Sequence, residues 1–156
     1  MNTNFAFTHG GKFHADDVFS TALLRILFPG IKIRRGFRVP DNFDGIVYDI
    51  GGGAFDHHQA GAPVRPNGIA YAAFGLLWRE FGPGLVGEES AKHFDESFIQ
   101  QLDLDDNTGC GNPLSHSISV FNPLWDTTAH PDTCFFQAVD VAQSILRHHI
   151  DAILAR

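Results

Sequence analysis

Phe5-Ala6-Phe7-Thr8-His9-Gly10-Gly11-Lys12-Phe13-His14-Ala15-Asp16 decides how the rest of the chain is read. Its apolar start breaks off at His9-Gly10-Gly11, the pattern of a short buried strand followed by a turn. From Asp16 onward Val18, Phe19, Ala22, Leu23, Ile26 and Leu27 recur at spacings of three and four. Acids stand in the first turn and Pro29-Gly30 closes the run, which predicts a helix. Ile31-Lys32-Ile33-Arg34 alternates like a second strand, and Gly45-Ile46-Val47-Tyr48-Asp49-Ile50 reads as a third, more buried one. Strand, helix, strand, strand opens a parallel α/β sheet, because parallel neighbours need a crossover helix.

Beyond that sheet the periodicity is helical, over Ile69 to Phe81, Glu88 to Leu104 and about Cys134 to Leu154. In the last segment Phe135, Val139, Ala142, Ile145, Leu146 and Ile153 form one stripe. No later strand is expected. The breaker-rich loop from Gln59 to Gly68 reads as free to move. With no repeat, low-complexity tract or linker, residues 1–156 are expected to form a single domain.

The chain has 156 residues, 44% of them hydrophobic and 19% charged, so disordered and fibrous classes do not fit. Cys110 and Cys134 are too few for a disulfide framework, nothing at the start reads as a signal peptide, and no apolar run approaches the ~20 residues of a membrane span. The expectation is a cytoplasmic protein. A net charge of -7 argues against a broad basic face for nucleic acid. The acids comprise 14 Asp against 4 Glu, and there are nine His. Short Asp and His side chains suit metal sites, although Asp also serves turns and caps.

Four clusters carry the chemistry: His9-x4-His14-x-Asp16; Asp49 before Gly51-Gly52-Gly53; Asp56-His57-His58; and Asp103-Leu104-Asp105-Asp106-Asn107. The first two fall at carboxyl ends of strands, where open α/β sheets bind ligands. Converging carboxylates and imidazoles repel or titrate one another unless cations stand between them. Five or six oxygen and nitrogen ligands exceed what one tetrahedral zinc uses, and they suit two ions about 3.5–4 Å apart. Mn2+ ranks first, with Mg2+, Zn2+, Fe2+ and Co2+ as alternatives. Asp17 reads as a helix-dipole partner, His148-His149 as a surface feature, and His93, His116 and His130 as structural. Arg34, Arg35, Arg38 and Arg65 are candidates for gripping phosphate.

In order, Thr8 to Asp16, Val47-Tyr48-Asp49-Ile50-Gly51-Gly52 and Phe55-Asp56-His57-His58-Gln59 resemble the DHH phosphoesterase superfamily. Within it, the chain most resembles the melanocyte proliferating gene family. The helix Gly68 to Gly82, Asp103-x-x-Asp106-Asn107 and Phe121-Asn122-Pro123-Leu124-Trp125 look like later landmarks of that family. The resemblance implies a Rossmann-like parallel-sheet DHH domain with a helical C-terminal part, and two metals held by His9, His14, Asp16, Asp49 and His57, with Asp49 bridging. Asp103 or Asp106 would complete the set. His58 would face the substrate phosphate and act with Asp49 in catalysis, while Asp56 would orient its histidine neighbours.

Family members continue into a second, capping domain, which is expected to be absent or truncated here; a homodimer could supply the missing wall. The expected function is metal-dependent hydrolysis of phosphodiester or phosphomonoester bonds in a phosphate-containing small molecule or short single-stranded RNA. The resemblance implies 3′ to 5′ exonuclease action. Rival readings are a mononuclear zinc hydrolase and a non-catalytic metal- or nucleotide-binding module.

Overall fold

The computed structural model describes residues 1–156. Three parallel strands form the sheet: β1 (Phe5–His9) lies centrally between β2 (Lys32–Gly36) and β3 (Ile46–Val47). The helix α1 (Ala15–Leu27) makes the crossover from β1 to β2. The chain then continues through α2 (Ala73–Val86), α3 (Glu88–Phe94), a π-helical turn (Asp95–Ile99), α4 (Gln100–Thr108), α5 (Pro113–Ser119) and α6 (Pro131–Leu154). An α/β fold with a parallel sheet followed by helices is what the strand-helix-strand-strand pattern demands. No helix is long and apolar enough to cross a membrane.

α1 is the hub. It packs against α2, α4, α5 and α6, and Ala15 through Leu24 are all buried. Even its polar stripe of Asp16, Asp17, Ser20 and Thr21 is enclosed, so the helix lies inside the core rather than on its surface. Phe19 stacks on Phe74 of α2 at 5.5 Å between ring centroids, and Phe13, just before α1, meets Phe135 of α6 at 5.5 Å. Central placement carries Asp16 and Asp17 into the interior with α1, at 3% and 0% exposure.

Several boundaries differ from the sequence reading. The third strand pairs only through Ile46 and Val47, with a further bridge from Tyr48 to Phe55. Asp49 turns the chain out of the sheet at φ 58°, and Gly51 and Gly52 continue the turn at φ 90° and 73°. The helix expected from Ile69 begins at Ala73, because the Arg65 N–H donates to Ile69 C=O and Val64 bridges Ala70. That fold-back also pins the loop expected to be free, with Arg65 only 4% exposed. The Glu88 to Leu104 segment divides at the π-helical turn and runs on to Thr108, and α5 is an additional short helix capped by Asn112, whose side chain accepts from Ser115 N–H.

Candidate metal centre

Asp49 holds the middle of the site. Its left-handed backbone is uncommon for a residue with a Cβ and is the kind of strain found at functional positions. The two carboxylate oxygens face different neighbours. Oδ2 lies 3.2 Å from Nε2 of His9, and Oδ1 lies 3.0 Å from Nε2 of His57 and 3.7 Å from Nε2 of His58. His9 Nε2 is also 3.2 Å from Asp17 Oδ2. His57 Nε2 is also 3.4 Å from Asp16 Oδ2 and 3.3 Å from Asp106 Oδ2. Two imidazole nitrogens are thus each bracketed by carboxylates, with Asp49 common to both.

The other ring nitrogen of each histidine is occupied. His9 Nδ1 meets the Gly10 carbonyl at 3.1 Å, His57 Nδ1 meets Asn107 Oδ1 at 3.0 Å, and His58 Nδ1 meets Asp56 Oδ1 at 2.6 Å. Each partner is an acceptor, so each Nδ1 carries the hydrogen. Asn107 has no choice of orientation, because its Nδ2 donates to the carbonyls of Ala70, Tyr71 and Asp103. A histidine fixed through Nδ1–H presents Nε2 as a ligand, the arrangement that metal sites use. Asp56 fixes the pair further, accepting from the N–H groups of Gly52 and His57 at 2.8 and 2.9 Å.

Charge is crowded here. Burial, aided by the charge of Asp49, pushes Asp16 up to about 7 and Asp106, which also feels Asp16, up to about 7. Burial pushes Asp17 up to about 8, against the pull of His9. Asp49 escapes: burial would raise it, but hydrogen bonds from His57 and His9 hold it at about 2. Burial opposes the charged rings, yet Asp16 and Asp49 lift His57 to about 11, and Asp49 and Asp17 lift His9 to about 9.

Asp17 Oδ2 is buried without a hydrogen bond, since its contact with His9 lacks the alignment of one. The other oxygen accepts from the His14 N–H at 2.8 Å, completing one half of a capping box. An orphaned carboxylate oxygen beside three further carboxylates and three anchored imidazoles is a donor set that fits divalent cations. It opens into a cavity of about 880 Å³, large enough for a nucleotide-sized ligand.

His9, Asp16, Asp49, His57 and Asp106 therefore come together. His58 stands at the cavity face with its side chain 61% exposed. His14 lines the cavity but lies outside the three close ligand groups. Asp17 joins those groups, correcting its reading as a dipole partner alone. Two adjacent acids at the start of a helix buried on every face were the available signal.

Asp103 does not point at the imidazoles. Its Oδ2 lies 2.8 Å from Arg65 NH2, and its Oδ1 accepts from the Gly75 N–H at 3.3 Å. Of the two alternatives, Asp106 is the acid in the cluster. Arg65 is committed to Asp103 and, through Nε and NH2, to both oxygens of Asp95 at 2.9 and 2.7 Å, with Tyr71 beneath its guanidinium. It is a buried brace, not a phosphate grip. Arg35 is likewise spent, on Asp132 and the Gly11 carbonyl. Arg34 is exposed on β2 and Arg38 pairs with Asp41; none of the four arginines lines the cavity.

The brace positions the site. Arg65 clamps Asp103 of α4 one helical turn before Asp106, which then faces His57. A Cβ on Gly75 would overlap Asp103 Oδ2, so only glycine admits this pair. Asp16 makes the matching contact on α2, accepting from the N–H groups of Ala73 and Phe74 at 3.1 and 2.8 Å.

Comparison with known proteins finds relatives of the chain. The chain is 28% identical over 178 residues to the MYG1 protein of Schizosaccharomyces pombe, covering 89% of this chain and 54% of that protein. It is 28% identical over 190 residues to the human MYG1 exonuclease, covering 92% of this chain and 49% of that one. The chain spans about half the length of these curated relatives. No solved structure matches it. The family model for the MYG1 exonuclease group, described as "Uncharacterised protein family (UPF0160)", matches residues 6–156, and the chain belongs to that family.

Proposed function

We propose that the chain is a metal-dependent phosphoesterase, cleaving phosphodiester or phosphomonoester bonds of a nucleotide or short single-stranded RNA with water activated by two divalent ions. The observation that carries this reading is the division of labour at Asp49, with one oxygen 3.2 Å from the His9 nitrogen that Asp17 also meets, and the other 3.0 Å from the His57 nitrogen that Asp16 and Asp106 also meet. His9, Asp17 and Asp49 would hold one ion; Asp49, His57, Asp16 and Asp106 the other. Bound there, Mn2+ or a similar ion supplies Lewis acidity and lowers the pKa of water toward neutrality.

The protein's own contribution is orientation and proton handling. Asn107 and Gly10 keep Nε2 of His57 and His9 turned inward. Asp56 grips His58 through Nδ1, leaving Nε2 at the cavity face; with a proton taken up from solvent on Nε2, the ring would meet a phosphate oxygen and pass that proton to the leaving oxygen, Nδ1 keeping its own hydrogen on Asp56. The exonuclease names of the human and bovine relatives support a nuclease version of this chemistry, and removal of nucleotides from a 3′ end belongs to the same proposal.

The test is hydrolysis of a bis-aryl phosphate and of a short single-stranded RNA with Mn2+, beside a chelated sample and Asp49→Asn. Turnover that requires both the ion and Asp49 is expected. One tightly held zinc per chain in place of two ions would favour a mononuclear hydrolase, and metal uptake with neither substrate cut would favour a binding module.

A further inference from the structure

Phe121-Asn122-Pro123-Leu124-Trp125 contributes nothing to the cluster around Asp49, yet it is fastened to the loop that does. Asn122 Oδ1 accepts from the Phe13 N–H at 3.0 Å, and its Nδ2 donates to the Phe13 carbonyl at 2.8 Å and to the Ser119 carbonyl at 2.9 Å. One side chain thereby joins the end of α5 to the Gly10–His14 turn, which carries Lys12 and His14. Next to this joint Trp125 is 96% exposed, with Leu124 at 67% and Val120 at 62%. Phe37, 84% exposed, stands against Gly11 of the same turn. Large side chains grouped in water in this way mark a contact surface.

The surface borders a groove of about 700 Å³ lined by Lys12, His116, Ser119, Asn122 and Trp125 among others. Ser119 lines both this groove and the cavity over Asp49, so the two adjoin. We propose that the groove is the subsite for the nucleotide next to the scissile phosphate of a single-stranded polynucleotide, with its base stacked on Trp125 and its phosphate held by Lys12. This rests on the phosphoesterase reading of the cavity. An aromatic face and a cation in one groove recognise any base and the backbone, which makes binding dependent on length and tolerant of sequence.

Trp78 is 2% exposed, so fluorescence quenching by an added ligand reports Trp125. The intact chain, kept free of metal by a chelator so that no ligand is cut, is titrated with adenosine monophosphate and with adenylate di- and tetranucleotides. The oligonucleotides should quench and bind about tenfold or more tighter than the monophosphate, the range of one stacked base. Trp125→Ala should erase that gain and Trp125→Phe keep most of it. Lys12→Gln should reduce the gain and its salt dependence, while Leu154→Ser, at an exposed position on α6, should match the wild type.

Absence of quenching, an equal affinity for monomer and oligomer, or a gain unaffected by Trp125→Ala overturns the subsite. So does burial of Trp125 that rises with protein concentration, which would make the patch a contact between copies. Hydrolysis of a bis-aryl phosphate is followed in parallel: its loss with the length gain intact counts against the metal-centre reading alone, and its presence without the gain counts against the groove alone.

Discussion

Oδ1 of Asp49 lies 3.0 Å from Nε2 of His57, whose opposite nitrogen gives its hydrogen to Asn107. A neutral ring held this way aims a lone pair at a carboxylate, with Asp16 and Asp106 also within 3.4 Å. Without an ion the ring must take a second proton to live there, which is why His57 is lifted to about 11. A divalent cation in that proton's place satisfies the same oxygens.

Asp49→Asn removes the charge shared by both groups of ligands and leaves the shape nearly unchanged. Turnover should fall at least about a hundredfold, with the circular dichroism spectrum retained. Full activity in a metal-loaded Asp49→Asn protein would remove the bridging role.

Asp17→Asn separates the two ion sites. The His9 side loses its second carboxylate, whereas the His57 side keeps Asp16, Asp49 and Asp106. Metal content, measured by mass spectrometry after dialysis, should drop from two ions per chain toward one.

Asn107→Ala touches no proposed ion. It removes the acceptor that fixes His57, and loss of such a support weakens metal affinity about 10- to 100-fold. Calorimetric titration of the chelated protein with Mn2+ checks this, and an unchanged affinity would show that the ring needs no such partner.

Arg65→Met leaves Asp103 and part of Asp95 buried without their cation. Removing one partner of a buried pair costs about 3–5 kcal/mol. Urea unfolding should show the loss, and Gly75→Ala should be at least as damaging because its new methyl overlaps Asp103 Oδ2.

The pH dependence of the metal-free protein has a definite sign. Asp16, Asp17 and Asp106 are raised to about 7, 8 and 7, so the folded state holds protons that the unfolded state has released. Their contribution is present below the ordinary carboxylate range and is lost as pH climbs through 7 to 8. His9 and His57, raised to about 9 and 11, contribute fully below the ordinary imidazole range and lose that contribution as pH rises further. Metal binding displaces these protons, so its affinity strengthens in the same direction. The Tm difference between Mn2+-loaded and chelated samples should therefore widen steadily from pH 6 to pH 8.5. A constant gap would contradict the protonated cluster.

The order of the ligand motifs was legible because it is written in short spans. Period in the sequence places His9 at a strand end and Asp16 at a helix start, and the Asp56-His57-His58 triplet needs no partner to be noticed. Asp17 was less legible. Its neighbour Asp16 looks identical in sequence, and only the burial of α1 on every side tells that both carboxylates are inside. The short third strand escaped for a related reason: apolar run length does not register that Asp49 takes a left-handed backbone and ends the pairing.

Arg65 marks the other limit. A cation in a loop of prolines and glycines reads as available to a phosphate, and its real partners, Asp95 and Asp103, lie 30 and 38 residues away. Sequence by itself determined the parallel α/β opening, the helices that follow and the types of side chain available for metal, because these depend on periodicity and neighbouring residues. Tertiary structure alone decided that Asp106 rather than Asp103 faces the imidazoles, that the arginines stay away from the cavity, and that Trp125 lines the same groove as Lys12. Those outcomes depend on which helices pack together, and that is set by the whole core around α1.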